Sequence, residues 1–262
     1  MLSPYTSKST RRRFSSIRAR SGSAWHREVS DLVIKRSVPE AVESIRGIEP
    51  GEAVVVEYTS RDPVHLAVSL PLMMAEGGVK VVVNDVLDQL HVIRAHLRIL
   101  GIRTDWMDSL PVIKFGGTLP VGNVIKRISI LKPAPVWSRE YENTLASIPG
   151  LKLIVTLGIE KMINVRSDLP ASTVCRTTGA SSLGAEDKIK VTFVNKDLLG
   201  ESTLEDIREL ATRVFRLEFQ DARLILEVIK SPYMKNYGKR FSVEAEDLVK
   251  YLQAAAGDYL PR

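Results

Sequence analysis

Two unbroken apolar runs, joined by a polar turn and a helical stretch, restrict what this chain can become. Ala53 to Val56 lies between Glu52 and Glu57, and Lys80-Val81-Val82-Val83 follows 24 positions after Val56. Neither run alternates in the way of a strand with one wet face. Continuous β-branched stretches bounded by turn residues suit strands covered on both sides, as in a parallel sheet. Pro50-Gly51 punctuates the entry to the first run. Strand, helix, strand at this spacing is a right-handed crossover unit. In such sheets ligands bind beyond the carboxyl ends of the strands. That rule places Glu57 to Asp62, together with Asn84 and Asp85, on the ligand edge.

Between the runs, Asp62-Pro63 reads as a helix start, with Asp62 capping free N–H groups and Pro63 at the first helical position. Val64, Leu66, Ala67, Leu70, Met73 and Met74 then recur at helical spacing. Pro71 removes one backbone bond and is expected to kink or split the helix, and Gly77-Gly78 to end it. The next helix carries Leu90, Ile93, Leu97 and Leu100 on one face and stops at Gly101. Further strands are expected at Val112–Phe115, Val124–Leu131, Leu151–Leu157 and Ile189–Val194. Val214–Glu218 and Arg223–Ile229 alternate and read as antiparallel edge strands, and Phe241–Val243 closes the sheet. Helices are expected over Trp25–Ser44, Ser138–Ile148, Leu204–Thr212 and Glu244–Ala256, with Ala171–Leu183 an ambiguous helical stretch. The Gly116–Gly122 loop precedes no clear amphipathic helix and reads as a plain turn.

The formal charge of +6 is unevenly placed. Lys8, Arg11, Arg12, Arg13, Arg18, Arg20 and Arg27 give residues 1–27 seven positive charges and no acid, so the remainder carries about −1. The basic character belongs to a Ser/Arg-rich tail expected to be disordered, followed by a single domain over 28–262. Nucleic-acid binding by the body therefore gains nothing from charge, although the tail offers a basic arm. No stretch of 18 apolar residues exists, so no membrane span is expected. Cys175 is the only cysteine, which excludes an internal disulfide and a cysteine-based zinc site and points to a reducing, cytoplasmic compartment.

Gly47-Ile48-x-Pro50-Gly51-Glu52 before a buried strand resembles the entry of RecA/KaiC-like ATPases. Val81-Val82-Val83 followed by Asp88-Gln89-Leu90 and Leu100-Gly101 resembles their second strand and helix. Arg213–Leu217 followed by Arg223–Lys230 resembles their closing hairpin. The turn Glu57-Tyr58-Thr59-Ser60-Arg61-Asp62-Pro63-Val64-His65 is similar to that of a divergent KaiC-like family of unknown function from hyperthermophilic archaea. The resemblance runs in order from about Gly47 to Val243. It implies a three-layer α/β, RecA-like fold with a mainly parallel sheet and antiparallel edge strands.

The phosphate-loop pattern G-x-x-x-x-G-K-[ST], laid on this chain, falls on Tyr58, Pro63, Val64 and His65. The turn keeps no glycine, Pro63 has no N–H, Val64 stands for the lysine and His65 for the magnesium-holding hydroxyl. The strand Val155-Thr156-Leu157-Gly158 ends without the expected acid. The paired acids after the second strand fall near Asn84 and Asp85, leaving one acid, and of a basic pair that reaches a neighbouring subunit only Lys230 remains. Phosphoryl transfer depends on these groups, so no hydrolysis, no catalytic residue, no metal and no cofactor are expected. The resulting expectation is a non-catalytic binding or regulatory module that engages a protein partner or other copies of itself. Tyr58, Thr59, Ser60, Arg61, Asp62, His65, Asn84 and Asp85 are its candidate ligand residues, and Lys230 its candidate partner contact. Two alternatives stay open: a nucleotide (ATP) sensor using Arg61 and Asp85, and a nucleic-acid accessory factor acting through residues 1–27.

Overall fold

The computed structural model describes residues 33–35, 47–73, 78–179 and 182–258. Among these residues ten strands form one sheet: β1 (Val33–Lys35), β2 (Ala53–Tyr58), β3 (Lys80–Val86), β4 (Pro111–Phe115), β5 (Asn123–Ile128), β6 (Lys152–Leu157), β7 (Lys188–Asn195), β8 (Arg213–Gln220), β9 (Arg223–Lys230) and β10 (Arg240–Glu244). Their spatial order is β1-β10-β9-β8-β2-β7-β6-β3-β4-β5. From β8 through β2 to β5 all neighbours are parallel, whereas β8–β9 and β9–β10 are antiparallel. The chain is thus α/β with a mainly parallel sheet and an antiparallel edge, as the apolar runs and the alternating hairpin require.

Among the described residues, seven helices flank the sheet: α1 (Val64–Leu72), α2 (Gln89–Ile99), α3 (Ala134–Ala146), α4 (Ile159–Val165), α5 (Ala171–Gly179), α6 (Glu201–Leu210) and α7 (Ala245–Asp258). Period-two alternation along each central strand builds two cores. Val54, Val56 and Tyr58 join Val81, Val83, Val191 and Phe193 under α1, α2 and α7. Val55 and Val82 face the other way with Val194, under Trp137 and Tyr141 of α3, Met162 of α4 and Ile207 of α6. No helix of the described residues is long and apolar enough to cross a membrane.

Several local expectations need correction. Within the stretch Trp25–Ser44, expected as helix, Val33–Lys35 is a strand that pairs in parallel with β10. The rest of that stretch and the basic tail lie outside the described residues. Pro71 lies in the last turn of α1, which ends one residue later with the Met73 N–H on the Ser69 and Leu70 carbonyls. The expected stop at Gly77-Gly78 is therefore too late. Asp62 does not cap α1: Pro63 holds the N-cap position without a side-chain bond. Leu100, expected on the inner face of α2, is partly exposed at its C-cap, and α4 was not expected at all.

Candidate functional site

After β2 the chain crosses to β3 on one side, and after β7, the neighbour of β2, it crosses to β8 on the other. The carboxyl ends of β2 and β7 therefore bound the switch-point crevice where α/β sheets hold ligands. The turn Thr59–Asp62 leaves β2 there, and Asn195-Lys196-Asp197 leaves β7.

The turn's amides are already engaged. The Thr59 N–H and hydroxyl both donate to Asp62 Oδ2, at 2.6 and 2.7 Å. The Ser60 N–H donates to Asp197 Oδ2 at 2.8 Å. The Arg61 N–H reaches the Thr59 hydroxyl at 3.3 Å and the Asp62 N–H the Thr59 carbonyl at 3.1 Å. Asp62 also accepts from the Phe219 N–H at 2.8 Å, tying the turn to β8. Asn195 donates to the Ser60 hydroxyl at 3.0 Å and accepts from the Asp197 N–H at 3.1 Å. Two carboxylates of the chain itself, Asp62 and Asp197, thus occupy the amides of Thr59 and Ser60.

Beneath the turn, Tyr58 is buried, and burial followed by the nearby Glu160 charge pushes its phenol well above the ordinary range. Glu160 opens α4, directly beyond β6. It is 1% exposed, and burial raises its pKa while the amides of Glu160 and Asn195 pull the other way. Its Oε2 has no hydrogen-bond partner. Glu160 thus sets a buried carboxylate three residues beyond the end of β6. Gly158 makes the approach possible: its φ is +81°, and a Cβ there would meet the Val86 carbonyl oxygen at 2.8 Å.

The other sequence candidates go elsewhere. Arg61 is exposed on the turn. His65, on the first turn of α1, packs edge-on against exposed His96 of α2 with ring centroids 5.1 Å apart. Burial, and secondarily His96, lowers its pKa to about 4. Asn84 is buried and donates to the Tyr141 hydroxyl and to Thr156 at 2.9 and 3.0 Å. Asp85 is fully buried, accepting from the Leu90 N–H at 2.9 Å and from Lys114 at 2.6 Å. Both belong to internal networks and do not face the crevice. Lys230 donates to the Arg208 and Glu209 carbonyls at 2.8 and 3.2 Å, so its ammonium serves the C-terminus of α6 in its own chain. Among the described residues no group of three or more His, Cys, Asp or Glu side chains is placed to hold a metal.

The residues missed in sequence are Asn195, Asp197 and Glu160. Asn195-Lys196-Asp197 carries one readable signal, an Asx-turn pattern after a buried strand. Its pairing with Ser60, more than a hundred positions away, carries none.

A family profile described as Pyrococcus protein of unknown function, DUF257, matches residues 43–242. The chain belongs to that family. It is also similar to the solved structure of PH0250 from Pyrococcus horikoshii OT3, with 23% identity and a TM-score of 0.65 over 78% of this chain and 98% of that one. The KaiC-like protein PH0186 of the same organism aligns with 12% identity and a TM-score of 0.51, over 75% and 86% of the two chains. The flagellar accessory protein FlaH from Methanocaldococcus jannaschii aligns with 17% identity and a TM-score of 0.47, again over 75% and 86%. No curated protein matches the chain. The fold is RecA/KaiC-like, as the order of strand, turn and hairpin motifs implies.

Proposed function

We propose that this chain is a non-catalytic RecA/KaiC-like module in which the phosphate turn has become an internal polar lock. The carrying observation is the engagement of the Thr59 and Ser60 amides by Asp62 and Asp197. An incoming polyphosphate would have to displace two carboxylates and then sit beside them. The crevice floor adds Glu160, a further group that repels an anion whenever it is ionised. On this reading the module works by engaging a protein partner or other copies of itself.

Thermal unfolding with and without millimolar Mg-ATP tests the first half. A ligand at 100 times its dissociation constant stabilises by about 2.7 kcal/mol. The expected result is an unchanged melting temperature, and a shift of that size overturns the reading in favour of a nucleotide sensor. Light scattering on the native protein, together with co-purification, tests the second half: a strict monomer that retains no partner overturns the binding role.

A further inference from the structure

The chain leaves β9 and returns in β10 through residues 231–239. Because β9 runs antiparallel to β8, with Lys230 level with Val214, this loop lies at the end of the sheet opposite the crevice. It reads Ser-Pro-Tyr-Met-Lys-Asn-Tyr-Gly-Lys. Within five positions it holds three large side chains out of the fold: Tyr233 is 39% exposed, Met234 90% and Tyr237 52%. Exposed apolar groups scattered singly need no explanation, but these three share one loop. From 228 to 243 the chain carries four cations, Lys230, Lys235, Lys239 and Arg240, and no acid. Lys230 serves the C-terminus of α6 and Arg240 meets Glu218 at 3.7 Å. Lys235, which is exposed, and Lys239 carry the loop's own charge.

The loop has a built shape. Its base is closed by the Val228 N–H on the Lys239 carbonyl and the Gly238 N–H on the Val228 carbonyl, both at 2.9 Å. A single 3-10 turn over Met234–Asn236 forms its tip. The Asn236 N–H donates to the Tyr233 carbonyl at 3.0 Å and the Tyr237 N–H to the Met234 carbonyl at 3.2 Å. Lys239 Nζ donates to Asn236 Oδ1 at 2.8 Å, and the Tyr233 hydroxyl to Glu49. The tip is therefore ordered before any partner arrives, which lowers the entropy lost on binding. One further feature belongs to this end of the sheet. β1 runs parallel to β10 with Val33 level with Arg240, so β1 begins here. The sequence that precedes it carries seven positive charges and no acid over residues 1–27.

We infer that this loop docks on an anionic membrane surface. Met234 enters the boundary between headgroups and acyl chains, Tyr233 and Tyr237 sit at headgroup level, and Lys235 and Lys239 meet lipid phosphates. Tyrosine is favoured at that depth, and lysine reaches outward past its apolar stem. A shallow apolar tip holds a bilayer weakly and so does a basic segment, but the two together hold it firmly. This chain has both, the second in residues 1–27. A single-stranded nucleic acid also attracts lysines and stacks on tyrosines. It leaves Met234, the most exposed of the three side chains, without a role. The inference is independent of the crevice, whose turn lies at the other end of β2.

The test is co-sedimentation of the intact protein with phosphatidylcholine vesicles in which about a third of the lipid is phosphatidylglycerol, against vesicles of phosphatidylcholine alone. Wild type is expected to pellet with the anionic vesicles and to stay in solution with the neutral ones. Met234→Asp changes a side chain that takes no part in the core. It is expected to weaken binding about ten-fold or more, and Met234→Trp, a better interfacial anchor, to tighten it. Equal binding to both kinds of vesicle, or to neither, overturns the proposal. So does a Met234→Asp variant that binds as wild type does, because the basic segment would then act alone. A protein that ignores the vesicles and retards a single-stranded oligonucleotide in a gel overturns it in favour of nucleic acid.

Discussion

Lys114 concentrates more of this structure's polar design than any residue of the crevice. Its ammonium, fully buried, holds Asp85 at 2.6 Å, Asp88 at 2.7 Å and the Leu119 carbonyl at 2.9 Å. Asp88 in turn accepts from the Thr118 and Leu119 amides. Burial alone would raise the Asp88 pKa, but Lys114 and these amides hold it below the ordinary carboxylate value. Leu87 and Asp88 both adopt left-handed backbone, with φ of +50° and +64°. The network offsets a strain of roughly 1–2 kcal/mol per residue. Lys114→Met leaves the Asp85 charge buried without its counter-ion, so we expect a loss of about 3–5 kcal/mol in urea unfolding. Adding Asp85→Asn should restore a substantial part of that loss, and a double variant no more stable than the single one contradicts this account. In sequence Asp85 looked like the surviving acid of a catalytic pair. Lys114 is what changes its meaning, and nothing between positions 85 and 114 announces their contact, which exists because β3 and β4 pair in parallel with Asp85 level with Lys114.

At the scale of elements, what was legible and what was not follow from range. The central strands were readable because burial on both faces demands apolar residues at every position, a local signal. The antiparallel hairpin was readable from alternation. Helix α4 was not, because at seven residues it is too short to show a periodicity, and the buried acid Glu160 is hidden inside it. Val33–Lys35 misled for the opposite reason: its apolar residues fit a helical stripe, and its pairing with Phe241 on β10 is invisible locally. The seam between β6 and α4 rests on Gly158. Gly158→Ala places a Cβ 2.8 Å from the Val86 carbonyl in a backbone region that L-residues disfavour. We expect a loss of roughly 1–2 kcal/mol from the backbone alone, with the steric overlap added. The check is the urea midpoint, and an unchanged midpoint contradicts the proposed closeness of the two strand ends.

Across the whole molecule, two titrating groups on opposite faces of the sheet give stability a pH dependence whose sign can be derived. His65, under α1 and α2, has its pKa lowered from 6.5 to about 4, so the unfolded chain takes up its proton first. Its contribution is fully present above pH 6.5 and is lost as the pH falls from there toward 4. Glu160, at the start of α4, has its pKa raised above 4.5, so the folded chain holds its proton more tightly. Its contribution is present below pH 4.5 and is lost as the pH rises through the folded value. The two slopes oppose each other and separate by mutation. His65→Gln is expected to flatten the decline between pH 6.5 and 4 while leaving stability at pH 8 nearly unchanged. Glu160→Gln keeps the shape of the neutral acid, so it is expected to match wild type near pH 4 and to exceed it increasingly at higher pH. Urea unfolding at half-unit steps from pH 4 to 8 reads both. A Glu160→Gln variant less stable than wild type at pH 8 would mean that the ionised carboxylate is wanted at the crevice floor.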